Sequence, residues 1–158
     1  MPVESADLEA ASGQYAMTLR QIAGSPAVLD LAHLGLGPDG HTASLVPGDL
    51  ALDVTDADVA VTGPYQGRRR MTLTYPILNR ARRIVWLVTG REKAEMLARL
   101  CGGDRSIPAG RIRQDRAVVL ADDAAAAGCD APRAPVPVED KTPSPSAEGV
   151  ALDRGREP

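Results

Sequence analysis

Apolar positions along the chain alternate between the spacing of helices and the spacing of strands. Four runs are apolar or β-branched and have the length of a strand: residues 28–35, 58–62, 84–89 and 117–121. Helical spacing or composition marks four further segments: residues 6–22, 75–81, 90–101 and 122–127. At most a short helical turn fits at 42–46, because Pro47-Gly48 follows. Strands alternating with helices predict a Rossmann-like α/β fold, a parallel sheet with helices on both faces.

The same segments predict which individual side chains are buried. The first helix places Leu8, Tyr15, Leu19 and Ile22 on one stripe, which we expect to face the core. His33 lies within an apolar strand, so a packed core histidine is expected there.

The composition of the chain changes at residue 130. Of the 13 prolines, six lie in the final 29 residues, where large apolar side chains are almost absent. Such a segment buries too little surface to offset the entropy lost on ordering, so a disordered tail is predicted over 130–158. Residues 1–129 form one predicted domain. Its four strands make a thin sheet for this architecture, which favours the later part of a larger α/β domain.

Charge and hydropathy argue against two classes of partner. The net charge is −3, from 18 basic and 21 acidic residues, and the aromatic side chains are three Tyr and one Trp. No nucleic-acid partner is therefore expected. No run approaches the ~18 consecutive apolar residues of a membrane span. The N-terminus lacks the basic start and apolar core of a signal peptide, so a cytoplasmic location is expected.

Two cysteines, Cys101 and Cys129, lack the spacing of a metal or redox motif. Both are predicted to be plain thiols rather than a disulfide. No cluster of His, Cys, Asp or Glu has metal-ligand spacing, so no metal is predicted.

The first apolar strand ends in a loop that carries the chain's candidate chemistry. Asp39 and His41 lie two residues apart, flanked by glycines at 35, 37 and 40. In open α/β sheets, ligands bind at the carboxyl ends of the strands. A neutral imidazole can accept a proton, and a neighbouring carboxylate can fix its tautomer. The loop is therefore a candidate site of acid–base catalysis.

The same loop satisfies the pattern G-x-G-x-x-G over 35–40, which raises a dinucleotide-binding interpretation. That interpretation requires a long helix after the third glycine and an acidic residue about 20 positions on. Pro47-Gly48 leaves room for less than two helical turns, and Asp56 and Asp58 precede a weak strand. The dinucleotide interpretation is therefore set aside.

The segment from Asp30 to Gly48 resembles the signature of the 6-phosphogluconolactonase family. Three shorter pieces in the same order also resemble it: Arg70 to Thr74, Gly90 to Ala94, and Pro108-Ala109. The resemblance covers roughly residues 6–127. The wider family includes glucosamine-6-phosphate deaminases, which share a related Asp-Gly-His loop, but the continuation from Thr42 to Leu45 is similar to the lactonase branch.

The resemblance implies hydrolysis of 6-phospho-D-glucono-1,5-lactone, a phosphorylated sugar lactone, without metal or organic cofactor. His41 would be the general base and Asp39 would orient it, although Asp39 also suits an Asx turn. Backbone N–H groups from Gly40 to Ala43 are candidates to stabilise the oxyanion. Ser44 lacks the G-x-S-x-G elbow of a serine hydrolase and is expected to be structural.

Two cations are candidates for binding the phosphate. Lys93 falls in the first turn of a predicted helix, where a cation opposes the helix dipole and a bound anion would offset it. The resemblance implies a phosphate-binding lysine there, and a substrate arginine at Arg70. Arg68 and Arg69 are expected to be surface residues.

Lactonases of this family also carry a glycine-rich phosphate loop and an arginine-bearing acidic motif in their N-terminal half. Neither precedes residue 28, so the resemblance implies a C-terminal portion, from a truncated gene product or a misplaced start codon. Two alternatives stay open: a deaminase or isomerase acting on amino sugar phosphates, and a non-catalytic fragment that binds phosphosugars.

Overall fold

This computed structural model describes residues 7–129. They contain five strands and three α-helices. The helices are α1 (Leu8–Ala23), α2 (Tyr75–Arg80) and α3 (Ala94–Cys101). The strands are β1 (Leu31–Leu34), β2 (Val59–Val61), β3 (Met71–Leu73), β4 (Arg83–Val88) and β5 (Ala117–Ala121). Short 3₁₀ turns lie at Leu50–Asp53, Arg91–Lys93, Ala109–Arg111 and Ala125–Gly128. The tail predicted at 130–158 lies outside the described residues.

A parallel sheet of order β1–β4–β5 forms the centre of the fold. In its register, Leu34 pairs with Trp86, and Trp86 pairs with Val119. The predicted parallel α/β class is confirmed, and three of the four predicted strands belong to this sheet. β4 is the central strand, paired with β1 on one side and with β5 on the other.

The fourth predicted strand, at 58–62, forms as β2 but does not join the parallel sheet. It pairs antiparallel with β3, with Ala60 opposite Thr72, and the apolar pattern did not reveal β3. The expectation of four parallel strands is therefore wrong. The reason is the short connection between β2 and β3, which suits an antiparallel pair and leaves no room for a parallel crossover.

Two predicted helical segments take other forms. At 42–46 the chain makes a tight turn, in which Leu45 N–H donates to the Thr42 carbonyl at 2.8 Å. The first helical turn follows later, at Leu50–Asp53, where the Asp49 carboxylate accepts from Ala51 N–H. The alanine-rich segment predicted at 122–127 is a single 3₁₀ turn, Ala125–Gly128.

One face of the parallel sheet forms the core. Alternate side chains of β1 and β4 are buried there: Ala32, Leu34, Ile84, Trp86 and Val88. They belong to the same apolar cluster as buried side chains of α2 and α3, which include Ile77, Leu78, Leu97 and Leu100. This cluster holds β1 in register against β4 and so fixes where the loop after β1 begins.

The opposite face of the sheet is exposed within residues 7–129. We call it the open face; it comprises Leu31, His33, Leu87, Val118 and Leu120. The prediction of a packed core histidine at His33 is therefore wrong. Strand alternation points His33 away from the core, and no element in the described range covers it.

Self-association is the expected consequence of the open face, because contiguous exposed apolar side chains favour contact with other molecules. We expect the double variant Leu87→Lys, Leu120→Lys to sediment closer to the monomer mass than the unmodified chain at high concentration. Sedimentation velocity measures this difference. The control is Leu50→Lys, since Leu50 is 84% exposed but lies outside the open face. A monomeric unmodified chain at every concentration would contradict the expectation.

Helix α1 spans Leu8–Ala23, within two residues of the predicted 6–22 at each end. The Asp7 side chain caps its N-terminus by accepting from Ala10 N–H at 2.9 Å, and Gly24, with φ of 87°, ends it. The predicted apolar stripe is correct only in part. Leu19 is buried, but Ile22 is 80% exposed, and Ala23 of the same turn packs against the core instead.

A disulfide joins Cys101, at the end of α3, to Cys129, and their Cα atoms are 6.1 Å apart. The prediction of two plain thiols is therefore wrong. Their separation of 28 positions in the sequence gave no sign of proximity. The two cysteines meet because the Ala125–Gly128 turn packs against α3.

Among residues 7–129, no helix has the length and apolar character needed to cross a bilayer.

Candidate active site

The loop that follows β1 is closed by its own backbone. Gly37 N–H donates to the His41 carbonyl at 2.8 Å, and Gly40 N–H donates to the Gly37 carbonyl at 3.0 Å. Gly40 has φ of 81°, which a residue with a Cβ rarely adopts. Thr42, which is fully buried, anchors the loop by donating from Oγ1 to the Gly35 carbonyl. The loop is therefore a fixed support for Asp39 and His41.

Asp39 and His41 are in direct contact. The distance from His41 Nδ1 to Asp39 Oδ1 is 2.5 Å, and His41 backbone N–H donates to the same oxygen at 3.1 Å. Partial burial raises the pKa of Asp39, but the hydrogen bonds from the His41 ring and backbone outweigh it, so the pKa falls below its usual value. A carboxylate at Nδ1 holds the ring proton there and leaves Nε2 as the proton acceptor.

Two glycines have no room for a side chain. A Cβ at Gly37 would lie 2.1 Å from His41 Nδ1, so the imidazole rests directly against the Gly37 backbone. A Cβ at Gly40 would lie 2.8 Å from Ile107 Cβ and 3.3 Å from Met96 Sδ. Met96 lies on α3, so this contact brings the start of α3 against the loop.

Tyr65 is a site residue that the sequence did not identify. Its hydroxyl donates to Asp39 Oδ2 at 3.3 Å, and its ring meets the His41 ring edge-on, with centroids 5.8 Å apart. The available signal was a lone aromatic side chain within a segment of Gly, Pro and Arg. Its proximity to Asp39, 26 positions earlier, depends on the fold of the β2–β3 hairpin.

Of the two predicted phosphate-binding cations, Arg70 contacts Tyr65, which in turn contacts Asp39 and His41. Its Cζ is 5.5 Å from the centroid of the Tyr65 ring, and the side chain is half-buried. Arg68 and Arg69 are exposed, as predicted, and Arg69 forms an ion pair with Glu9 on α1. Arg70 is therefore the member of the arginine run that contacts Tyr65, and its role in binding phosphate stays a prediction.

Lys93 is placed by helix α3. It lies in the 3₁₀ turn just before α3, three residues before Met96, which contacts Gly40. Residues three apart share one side of a helical segment. Within the described part of the chain, the Lys93 ammonium has no hydrogen-bond or ion-pair partner. The role of Lys93 in binding phosphate stays a prediction.

The other sequence-based hypotheses can be compared with the same geometry. Ser44 donates its backbone N–H to Thr72 Oγ1 at 3.1 Å, which ties the loop to β3. Asp58, a candidate ribose ligand, is buried and pairs with Arg80, and a tight turn rather than a long helix follows Gly40. Across residues 7–129, no three His, Cys, Asp or Glu side chains cluster as metal ligands would.

The fold and this loop define the class of the protein. It is an α/β protein with a carboxylate–imidazole pair at the carboxyl end of a parallel strand, and with an arginine on the adjacent hairpin.

Comparison with known proteins identifies the family within that class. A family model described as glucosamine-6-phosphate isomerases/6-phosphogluconolactonase matches residues 1–120, and the chain belongs to this family.

Individual relatives share both sequence and fold with this chain. A 6-phosphogluconolactonase of Rattus norvegicus is 40% identical over 111 residues, 67% of this chain and 43% of the relative. A 6-phosphogluconolactonase of Synechocystis sp. is 42% identical over 104 residues, 63% of this chain and 43% of the relative. The solved structure of 6-phosphogluconolactonase from Trypanosoma brucei superposes with a TM-score of 0.66 at 27% identity, covering 80% of this chain and 56% of that one. The chain thus spans about half the length of these relatives.

Proposed function

We propose that this chain hydrolyses 6-phospho-D-glucono-1,5-lactone to 6-phosphogluconate, the lactonase step of the oxidative pentose phosphate pathway. The observation that carries the proposal is the contact between His41 Nδ1 and Asp39 Oδ1, at the carboxyl end of β1. The names of the relatives support the choice of substrate.

His41 acts as the general base in the proposed mechanism. Its Nε2 takes a proton from water as the water oxygen bonds to the lactone carbonyl carbon. The tetrahedral intermediate then breaks its bond to the ring oxygen, and the imidazolium returns the proton to that oxygen. Asp39 keeps the ring oriented and stabilises its positive charge between the two steps.

Backbone N–H groups of the loop are the proposed oxyanion donors. The N–H groups of Gly40 and His41 are already engaged within the turn. Of the predicted range from Gly40 to Ala43, the exposed residue Ala43 is therefore the preferred donor. Gly40 contributes instead through its positive φ, which turns the loop so that His41 follows directly after it.

Arg70 and Lys93 hold the phosphate in this proposal. We expect Arg70→Met and Lys93→Met each to raise KM for the phosphorylated lactone by about 10–100-fold, because each removes a hydrogen bond between charged groups. KM for unphosphorylated glucono-1,5-lactone should not change. The measurement is a coupled assay of both substrates, with Arg68→Met as the control because Arg68 is exposed. An equal rise for both substrates would rule out a phosphate-specific role.

A second candidate function is binding of phosphosugars without turnover. The open face and the coverage of about half of each relative favour it. Isothermal titration with 6-phosphogluconate, beside the coupled assay, separates the two functions. Binding without hydrolysis above the spontaneous rate would support the second function and refute the first. Ammonia release from glucosamine 6-phosphate would instead support deaminase activity.

A further inference from the structure

Tyr65 joins the two halves of the candidate site. Its hydroxyl donates to Asp39 Oδ2, while Asp39 Oδ1 accepts from His41. The guanidinium of Arg70 lies over the Tyr65 ring, at 5.5 Å from the centroid. One side chain therefore contacts the carboxylate, the imidazole and the arginine.

The backbone that carries Tyr65 is fixed by a tight hairpin turn. Tyr65 and Arg68 exchange backbone hydrogen bonds of 3.0 and 3.2 Å. Gln66 and Gly67 between them have φ of 52° and 74°, the geometry of a two-residue hairpin turn. Thr62 N–H donates to the Arg70 carbonyl at 2.8 Å, which continues the pairing toward β2 and β3. Tyr65 is thus presented by a rigid support rather than by a free loop.

We propose that Tyr65 is a positioning residue that sets the orientation of Asp39 through its hydroxyl and the location of Arg70 through its ring. This inference rests on the proposed lactonase function. An Asp39 carboxylate held at both oxygens has little freedom to rotate, so His41 keeps its proton on Nδ1. An arginine seated on an aromatic face is held by the ring quadrupole and presents its N–H groups outward.

The two contacts of Tyr65 can be removed separately. Tyr65→Phe removes the hydroxyl and keeps the ring, so we expect kcat to fall about 5–10-fold with KM unchanged. Tyr65→Leu removes both, so KM for the phosphorylated lactone should also rise, by about 3–10-fold. A kcat loss in both variants, with a KM change only in Tyr65→Leu, is the expected result.

A matched control distinguishes positioning from a structural role. Tyr75 has the same arrangement elsewhere: its hydroxyl donates to the Pro108 carbonyl at 3.0 Å, and Arg111 lies 6.0 Å from its ring centroid. We expect Tyr75→Phe to lower the thermal midpoint without changing kcat or KM. A kcat loss in Tyr75→Phe equal to that in Tyr65→Phe would overturn the proposal.

A spectroscopic measurement tests the proposal without activity. The ¹⁵N chemical shifts of the His41 ring report which nitrogen carries the proton. We expect the unmodified chain and Tyr75→Phe to show the proton on Nδ1, and Tyr65→Phe to show a mixture of tautomers. Identical His41 shifts in all three proteins would overturn the proposal. Absence of lactonase activity in the unmodified chain would refute the proposed function while leaving this measurement decisive for Tyr65.

Discussion

We expect His41→Ala to lower kcat for the phosphorylated lactone by about 10²–10⁴-fold, the usual contribution of a general base. The side chain of His41 is 25% exposed and rests on a glycine backbone, so its removal opens no core cavity. The thermal midpoint should therefore stay close to that of the unmodified chain. The measurement is the coupled lactonase assay together with thermal unfolding.

His33→Ala is the matched control for this prediction. His33 is the other histidine of the chain and lies on the open face, away from the loop. We expect its removal to leave kcat unchanged. Unchanged kcat in His41→Ala would exclude His41 as the base, and an equal loss in both variants would indicate a general effect on folding.

Gly37→Ala should produce a loss of turnover of about 10²-fold or more, although it removes no catalytic side chain. The added Cβ would lie 2.1 Å from His41 Nδ1 and would displace the imidazole from Asp39. Displacement of the imidazole removes its orientation by Asp39 and takes Nε2 away from the attacking water. The coupled assay measures the loss, and crystallography of the variant shows where the ring has moved.

The control for this prediction is a second glycine of the same loop. A Cβ at Gly35 would meet nothing within 4 Å, so Gly35→Ala tests the effect of an alanine in the loop without contact to His41. We expect Gly35→Ala to retain activity. If Gly37→Ala were as active as Gly35→Ala, the close contact between Gly37 and the imidazole would not be needed for activity.

Local signals explain why part of the site was predictable. Asp39 and His41 are two residues apart, between glycines and directly after an apolar strand, so their contact requires only a tight turn. The contact between them is present in the structure, and their catalytic roles stay predictions. Gly37 was identified only as one of the flanking glycines, and in the structure the His41 ring occupies the space of its missing side chain.

Long-range packing explains what the sequence did not reveal. Tyr65 reaches Asp39 only because the β2–β3 hairpin folds over the loop, and β3 is too short to give a clear strand pattern. The disulfide likewise depends on the packing of the Ala125–Gly128 turn against α3. Periodicity describes single elements and carries no information on such contacts.

The error at His33 has a different cause. An apolar run predicts a strand buried on both faces, and β1 has such a run, yet its described neighbours cover one face. The chain also spans about half the length of its relatives. The expectation that it is the C-terminal portion of a larger domain stays a prediction. It bears on the open face, which no described element covers.

The most direct test of this account is a titration of the chain with 6-phosphogluconate, followed by NMR of the side chains of His41, Arg70 and Lys93. If one phosphosugar contacts the imidazole and both cations, all three signals should shift together and saturate at the same ligand concentration. Shifts of Arg70 and Lys93 at different concentrations, or without any change at His41, would contradict it.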